Sequence, residues 1–401
     1  MAEKAGLCPV RVDRLRQTLA AYVERGDIPG AAITIHRHGV EAATIMVGHG
    51  DFAGEMPLAR DSLYRVGSMT KPVVSVAALS LMEEGRLRLD DRIGQWLPEL
   101  AAPKVLTAPA GRIADAVPAP RALTVEDLLT HRAGFATALV AQGELGQAVQ
   151  ALTGGLARRS DLTPDAWIAL LASLPLARPP GEEVINGFAT DVLGVLIARA
   201  CGKPLGAVLR ERIFDPLGMR DTDFWVRPDA MARLTPAYVV QWLSGKKRMI
   251  DDPRDSTLRQ PPAFESGSAG LVSTLDDYAR FGTMLLGGGK LGDRRILSRK
   301  TVEWMTVNRL TPQQRAIPFF GEPYWTSRGL GLGVYVVDDL ARHATPASIG
   351  QYGWGGAFAT AWFNDPAEAM SVTMMCNVSF PAVTPDLRKD VETMVYQAID
   401  D

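Results

Sequence analysis

The spacing of apolar and polar residues changes from segment to segment along this chain, and each change marks an element. Residues 10–25 (VRVDRLRQTLAAYVER) set apolar side chains among charges at helical spacing, which predicts an amphipathic helix ending near Gly26. AAITIHRHG and AATIMVGHGDF follow as β-rich runs joined by a short polar turn, the pattern of a hairpin. Residues 68–84 (SMTKPVVSVAALSLMEE) carry Val73, Val74, Val76, Ala77, Ala78, Leu79, Leu81 and Met82 and leave almost no polar face. Such a helix is buried on most sides, and Gly85 closes it. Helices are also predicted at 124–130, 164–173 and 189–200, between Pro/Gly/Ala-rich connections near 101–122 and 175–187. Residues 244–262 are polar and Pro-flanked and read as a surface loop.

From about residue 266 the pattern changes again. A helix at 274–286 opens on Thr274, with Asp276 and Asp277 in its first turn. Strand-like runs follow at 329–337 (GLGLGVYVV), 357–363 (AFATAWF) and 371–378 (SVTMMCNV), and the chain closes on a helical run, DLRKDVETMVYQAI. Strands thus lie early and late, with helices between. The expected fold is α/β (α+β), an antiparallel sheet flanked by helices and built from both chain ends. Residues 1–85 and 266–401 would form the α/β domain, and 86–265 a mainly helical inserted domain.

Composition narrows the function classes. The chain has 401 residues, 47% apolar and 22% charged, enough for a sizeable core. A net charge of −2 gives no electrostatic case for nucleic acid or an anionic membrane, and a small-molecule substrate fits better. Cys8, Cys201 and Cys376 are far apart and none stands in a CxxC, so neither a disulfide framework nor a zinc site is expected. The five histidines form no HExxH; His36 and His38 would share one face of a strand, which reads as a solvated face. No metal or cofactor is expected. No apolar run has the length of a signal peptide or a membrane span, so a cytoplasmic protein is expected. The glycines of GLGLG precede a strand, whereas a dinucleotide loop follows one, and Gly267-Ser268-Ala269-Gly270 lacks the spacing of a GxSxG nucleophile elbow.

One tetrad carries chemistry. Ser68-Met69-Thr70-Lys71 is an SxxK, placed where the extended run SLYRVG meets the buried helix. At i, i+3 the two side chains share a helical face. The helix N-terminus offers free backbone N–H groups and the positive end of the dipole, and Pro72 is tolerated in that first turn. An apolar setting lowers the pKa of Lys71, and a neutral amine can take the serine proton. The tetrad alone equally describes a capping serine followed by a snorkelling lysine. A second SxxK, Ser244-Gly245-Lys246-Lys247, falls in the polar loop and is a chance match.

A longer run decides between these readings. LYRVGSMTKPVVSVAALSLMEEGRLRLDDRI resembles the active-site region of serine β-lactamase-related proteins, the superfamily of class C β-lactamases and penicillin-binding proteins. LTVEDLLTHRAGF, PPGEEVINGFATDVLGVLIARACGKPL, FDPLGMRDTDF, SAGLVSTLDDYARFGTMLLGGG, ILSRKTVEWM and YGWGGAFATAWFNDP follow in the order that superfamily has. Its third motif is usually Lys-Thr-Gly; here Trp354-Gly355-Gly356 stands, similar to the family VIII carboxylesterases. The resemblance implies a β-lactamase/transpeptidase-like fold and hydrolysis of small-molecule esters through an acyl-enzyme on Ser68, with Lys71 as general base. It also implies an oxyanion hole from the N–H groups of Ser68 and Ala357, and a substrate wall from Trp354, Gly355, Gly356 and Phe188. An aromatic wall would replace a carboxylate-attracting lysine, and the glycines would let the strand approach the substrate.

The second motif departs from the pattern. Its tyrosine position is Asn186, and Phe188 stands where a second asparagine is usual. Asparagine does not titrate in the useful range but donates hydrogen bonds and can hold a water. Lys71 alone could serve as base with slowed turnover, or the change could trap an acyl-enzyme, or acyl could pass to an acceptor other than water. Weak β-lactamase activity, and a non-catalytic acyl- or peptide-binding protein that lost its relay, stay open.

Overall fold

The computed structural model describes residues 2–137, 140–153, 161–241, 244–319, 321–379 and 384–401. Seven strands make the main sheet, in spatial order Arg328–Leu330, Tyr335–Val337, Tyr352–Gly355, Ala361–Asp365, Met370–Met375, Gly30–Arg37 and Val40–Gly48. Every neighbouring pair is antiparallel. The two chain ends meet where Ala32 stands opposite Met375 and Arg37 opposite Met370. The antiparallel sheet built from both chain ends and flanked by helices, expected from the sequence, is the one found.

Both faces of this sheet are covered, so its inner strands are apolar on both sides rather than alternating with polar residues. Ala31, Ile33, Ile35, Phe363, Val372 and Met374 share one core with Leu15, Leu19 and Tyr22 of the helix Pro9–Glu24 and with Leu387, Val391 and Val395 of the helix Thr384–Tyr396. On the opposite face Ala32, Tyr352, Trp362 and Met375 join the larger core, which holds the helix Thr70–Glu83, most of the helix Ala189–Cys201 and the helix Leu275–Leu286. The helix Thr70–Glu83 is buried from Thr70 through Leu81.

The helix starts follow local chemistry. Thr124 caps Val125–Leu129 with a capping box closed by Asp127, and Thr274 accepts from the Asp277 N–H at the head of Leu275–Leu286. The helix predicted at 164–173 is Pro164–Ala172, with Thr163 as its cap.

Four expectations need correction. The 329–337 run is two strands, folded back so that Gly329 pairs with Val336. Gly333 at the bend has φ 83°, a left-handed value that favours glycine. The 357–363 run is a turn followed by the strand Ala361–Asp365; positive φ at Ala359 (58°) marks the turn. The 244–262 segment contains a strand, Lys247–Asp251, antiparallel to Ala237–Val240, which also pairs in parallel with Val378–Ser379. Polarity masked this strand, whose Lys247, Arg248 and Met249 are exposed, while Asp251 takes the buried guanidinium of Arg65 (Nε to Oδ2 2.7 Å). His38 lies in the turn after Arg37 at φ 52°, so it does not share a strand face with His36.

Gly282 tests how the helix Leu275–Leu286 sits on the sheet. A β-carbon there would collide with the Trp362 indole nitrogen and stand 2.8 Å from Ser371 Oγ. The indole in turn donates to Asn364 (3.0 Å), whose amide donates to the Gly282 carbonyl (2.8 Å). Replacing a mid-helix glycine by alanine normally stabilises by about 1 kcal/mol. Here Gly282→Ala is expected to destabilise by about 1–3 kcal/mol through overpacking. Denaturant unfolding checks the sign, and a raised midpoint would contradict the packing.

Candidate active site

Residues Tyr64–Arg65 pair with Val272–Ser273, and the chain then turns through Gly67 at φ 54° into a short 3-10 turn, Gly67–Met69, that runs into the helix Thr70–Glu83. Ser68 sits in this turn, half-buried. The turn is tied from several sides. Thr70 Oγ1 donates to the Gly67 carbonyl (2.7 Å), and the buried Tyr278 hydroxyl donates to the Met69 carbonyl (2.8 Å). The Leu271 N–H donates to Thr70 Oγ1 (3.2 Å). A nucleophile held this way loses little freedom on meeting a substrate.

Lys71 lies one turn on, 2% exposed. Its Nζ donates to Ser68 Oγ at 2.9 Å and to the Ser268 carbonyl at 2.8 Å. Burial pushes its pKa down to about 8, against the opposing pull of the Asp191 carboxylate. The snorkelling-lysine reading does not hold, because the ammonium end points into the site rather than to solvent.

Asp191 enters from the first turn of the helix Ala189–Cys201. Its Oδ1 accepts from Ser266 Oγ (2.6 Å) and from the Ser268 N–H (3.0 Å). Ser268 thus links the carboxylate, through its N–H, to Lys71, through its carbonyl. Burial raises the pKa of Asp191, and the serine hydrogen bonds and the Lys71 charge oppose that rise. The discarded GSAG string is therefore part of the site, though not as a nucleophile. A lone acid among Val192, Leu193 and Val195 was the readable signal, since a buried carboxylate needs a partner.

His131 also reaches this cluster. Its backbone adopts φ 53°, unusual for a histidine, and the Ile185 N–H donates to its carbonyl (2.8 Å). Burial, and next the charge of Lys71, push the imidazole pKa down to about 3, so it is neutral across the working range. Among the described residues neither ring nitrogen has a hydrogen-bond partner. The ring lies 5.3 Å from that of Trp354.

The remaining expected residues divide. Trp354, on the strand Tyr352–Gly355, packs with Val184, Leu310, Trp325 and Leu330 as an apolar wall. Val184 and Asn186 follow Gly181, whose N–H donates to the Arg132 carbonyl, one residue past His131. Asn186 is half-buried, and its carbonyl accepts from Thr137 Oγ1 (3.4 Å). Phe188 turns into the main core, with its ring edge-on to Trp167 at 5.6 Å. Gly356 faces the nucleophile segment, where a β-carbon would collide with the Val66 carbonyl and the Thr360 hydroxyl. A β-carbon on Gly67 would stand 2.9 Å from the Ala357 nitrogen, which sets that nitrogen beside the nucleophile turn. Both glycines let two backbones approach.

A buried, lowered-pKa lysine bonded to a serine at a helix start can generate an alkoxide for attack on a carbonyl. Among the described residues no group of three or more His, Cys, Asp or Glu is placed to hold a metal ion.

Comparison with known proteins identifies the family and the fold. A profile of the Beta-lactamase family matches residues 15–393. The Mycobacterium tuberculosis protein Rv1367c is 38% identical over 361 residues, covering 89% of this chain and 88% of that protein. Esterase EstB of Burkholderia gladioli is 28% identical over 380 residues, covering 92% and 90%. The structure of EstCE1, described as a hydrolase with promiscuous acyltransferase activity, superposes with a TM-score of 0.81 at 27% identity, covering 96% of this chain and 98% of that one. With the profile spanning most of the chain and the serine–lysine pair in place at a helix start, the chain belongs to the Beta-lactamase family, as a serine hydrolase whose relatives include esterases and acyltransferases.

Proposed function

We propose that this protein is a serine carboxylesterase that cleaves esters of small molecules through an acyl-enzyme on Ser68. The observation that carries the reading is the 2.9 Å contact between Ser68 Oγ and a Lys71 amine whose pKa is lowered to about 8. Ser68 Oγ attacks the ester carbonyl while its proton passes to Lys71 Nζ. The N–H groups of Ser68 and Ala357 hold the developing oxyanion. Collapse expels the alkoxide, which takes the proton from Lys71 and leaves as the alcohol. Water then attacks the acyl-enzyme, giving a proton to Lys71; collapse expels the Ser68 alkoxide, which takes that proton back, and the carboxylic acid leaves.

The wall around Trp354 supports esters over β-lactams, because it offers apolar surface where a lysine would attract a substrate carboxylate. Asn186, in the relay position, contributes a hydrogen bond or a held water but no titration. Proton delivery to the leaving group and activation of the water both fall on Lys71, and slowed turnover of the acyl-enzyme is expected. Acyl transfer is a second reading, and the description of EstCE1 favours it: an acyl-enzyme that water opens slowly lasts long enough for an alcohol acceptor.

Three measurements test this reading. Wild-type protein should be labelled at Ser68 by a fluorophosphonate and should hydrolyse p-nitrophenyl butyrate faster than nitrocefin. Ser68→Ala should abolish both labelling and hydrolysis, and Lys71→Met should cost about 10²–10⁴-fold in rate. Folded wild-type protein that resists the probe would instead be a binding module. The base works only when neutral, so kcat/KM should climb with pH and level off above about 8, the lowered value for Lys71. A profile still rising steeply at pH 10 would mean the amine is not buried. Asn186→Tyr should raise ester hydrolysis by at least about tenfold if a phenol relay is what the chain lacks; an unchanged rate would remove Asn186 from the account of slow turnover.

A further inference from the structure

The residues after Gly355 form a tight turn, closed by a hydrogen bond from the Gly356 N–H to the Thr360 carbonyl (2.8 Å). The turn is docked on the nucleophile segment, because Thr360 Oγ1 donates to the Val66 carbonyl at 3.0 Å. On its other side stands Arg388, from the helix Thr384–Tyr396. One amino group of its guanidinium, Nη2, donates both to the Gly356 carbonyl (2.5 Å) and to the Thr360 carbonyl (2.8 Å). Gly355 makes room for it, since a β-carbon there would stand 2.6 Å from the guanidinium carbon. The middle residue of Trp354-Gly355-Gly356 is thus a glycine because an arginine lies against it.

The consequence follows from peptide planarity. The Gly356 carbonyl and the Ala357 N–H belong to one peptide unit, and in a planar trans peptide they point in opposite directions. Fixing the carbonyl on one side fixes the N–H on the other. The Ala357 nitrogen lies against Gly67, next to Ser68, and among the described residues its N–H meets no backbone acceptor. A charged donor on the carbonyl also polarises the amide and makes its N–H a stronger donor.

We propose that Arg388 is a positioning residue for the oxyanion hole, aiming the Ala357 N–H at the carbonyl oxygen of a substrate on Ser68 by gripping the Gly356 carbonyl behind it. The proposal rests on the esterase reading above, in which Ala357 is one of the two oxyanion donors. Arg388 touches neither substrate nor nucleophile and acts only through the turn. Its Nη2 is held by those two carbonyls, while its Nε is buried with no hydrogen-bond partner among the described residues. Burial lowers its pKa, the nearby hydroxyls of Tyr324 and Tyr335 offset part of that, and the charge of Arg328 adds to the lowering. Arg328 lies over the rings of the same two tyrosines at 4.8 and 5.0 Å.

The test must separate a misaimed N–H from a loosened helix. Full-length wild type, Arg388→Met, Arg388→Lys and Gly355→Ala are compared on p-nitrophenyl butyrate and on the matching thionoester, in which sulfur replaces the carbonyl oxygen. Sulfur accepts hydrogen bonds poorly, so a thionoester gains little from an oxyanion hole. Arg388→Met should lower kcat on the oxygen ester by about 10- to 100-fold with KM little changed, and lower the thionoester rate by less than about threefold. Arg388→Lys should fall between, and Gly355→Ala, which pushes the guanidinium aside while keeping its charge, should move the ratio in the same direction. Equal losses on both substrates, or none, would overturn the role of Arg388. If Arg388→Met does not fold, Arg388→Lys and Gly355→Ala decide alone. Failure of the esterase reading would look different: wild type itself would resist the fluorophosphonate, or Ser68→Ala would keep its activity.

Discussion

A lysine ammonium buried against a serine hydroxyl is the constraint on which the rest of this structure depends. Burying a cation is unfavourable, and the protein meets that cost with three specific groups rather than with solvent. The Ser68 hydroxyl and the Ser268 carbonyl take two of the ammonium protons, and Asp191 supplies a compensating negative charge nearby. The same burial brings the pKa down to about 8, where the amine can act as a base under ordinary conditions. A stronger ion pair would return the pKa toward its usual range and remove the base. The indirect link from Asp191 to Lys71 through Ser268 suits this balance: the carboxylate spends its hydrogen bonds on Ser266 and on the Ser268 N–H, and acts on the amine through space.

The surrounding elements bring distant parts of the chain to this point. Ser68 and Lys71 come from the start of a buried helix, Ser268 from the segment leading into Val272–Ser273, and Asp191 and His131 from the stretch between them. The sheet supplies the last part, the turn between Tyr352–Gly355 and Ala361–Asp365, which Thr360 fastens to Val66. The C-terminal helix, packed behind the sheet, reaches the same turn through Arg388. The site thus needs both chain ends folded onto each other before it is complete.

Much of this was legible in the sequence, and the reasons are physical. The helix around Ser68 announces itself because its apolar residues leave no polar face, and its SxxK stands at the one place where a helix offers free N–H groups. The hairpin Gly30–Gly48 and the capped helices follow local rules that survive tertiary packing. Other features depend on long-range contacts. Lys247–Asp251 reads as a loop because its outward residues are charged, and only the buried Arg65 explains Asp251. GLGLG reads as one strand because its turn glycines alternate with leucines. The glycines of Trp354-Gly355-Gly356 suggested an approach to substrate, whereas their missing β-carbons make room for Arg388 and Val66. Ser268 and His131 were hidden because each needs a partner far away in sequence to acquire its meaning, and the lone Asp191 in its apolar run signals a buried carboxylate without naming its partners.

The state of the Lys71 amine is the most direct test of the account. A 13C NMR titration of the lysine side-chain methylene next to the amine, with the Lys71 signal assigned by its loss in Lys71→Met, reads that state without reference to any substrate. The expected midpoint is near 8. A midpoint near the ordinary lysine value of about 10.4 would contradict it, because Ser68 would then have no neutral base beside it.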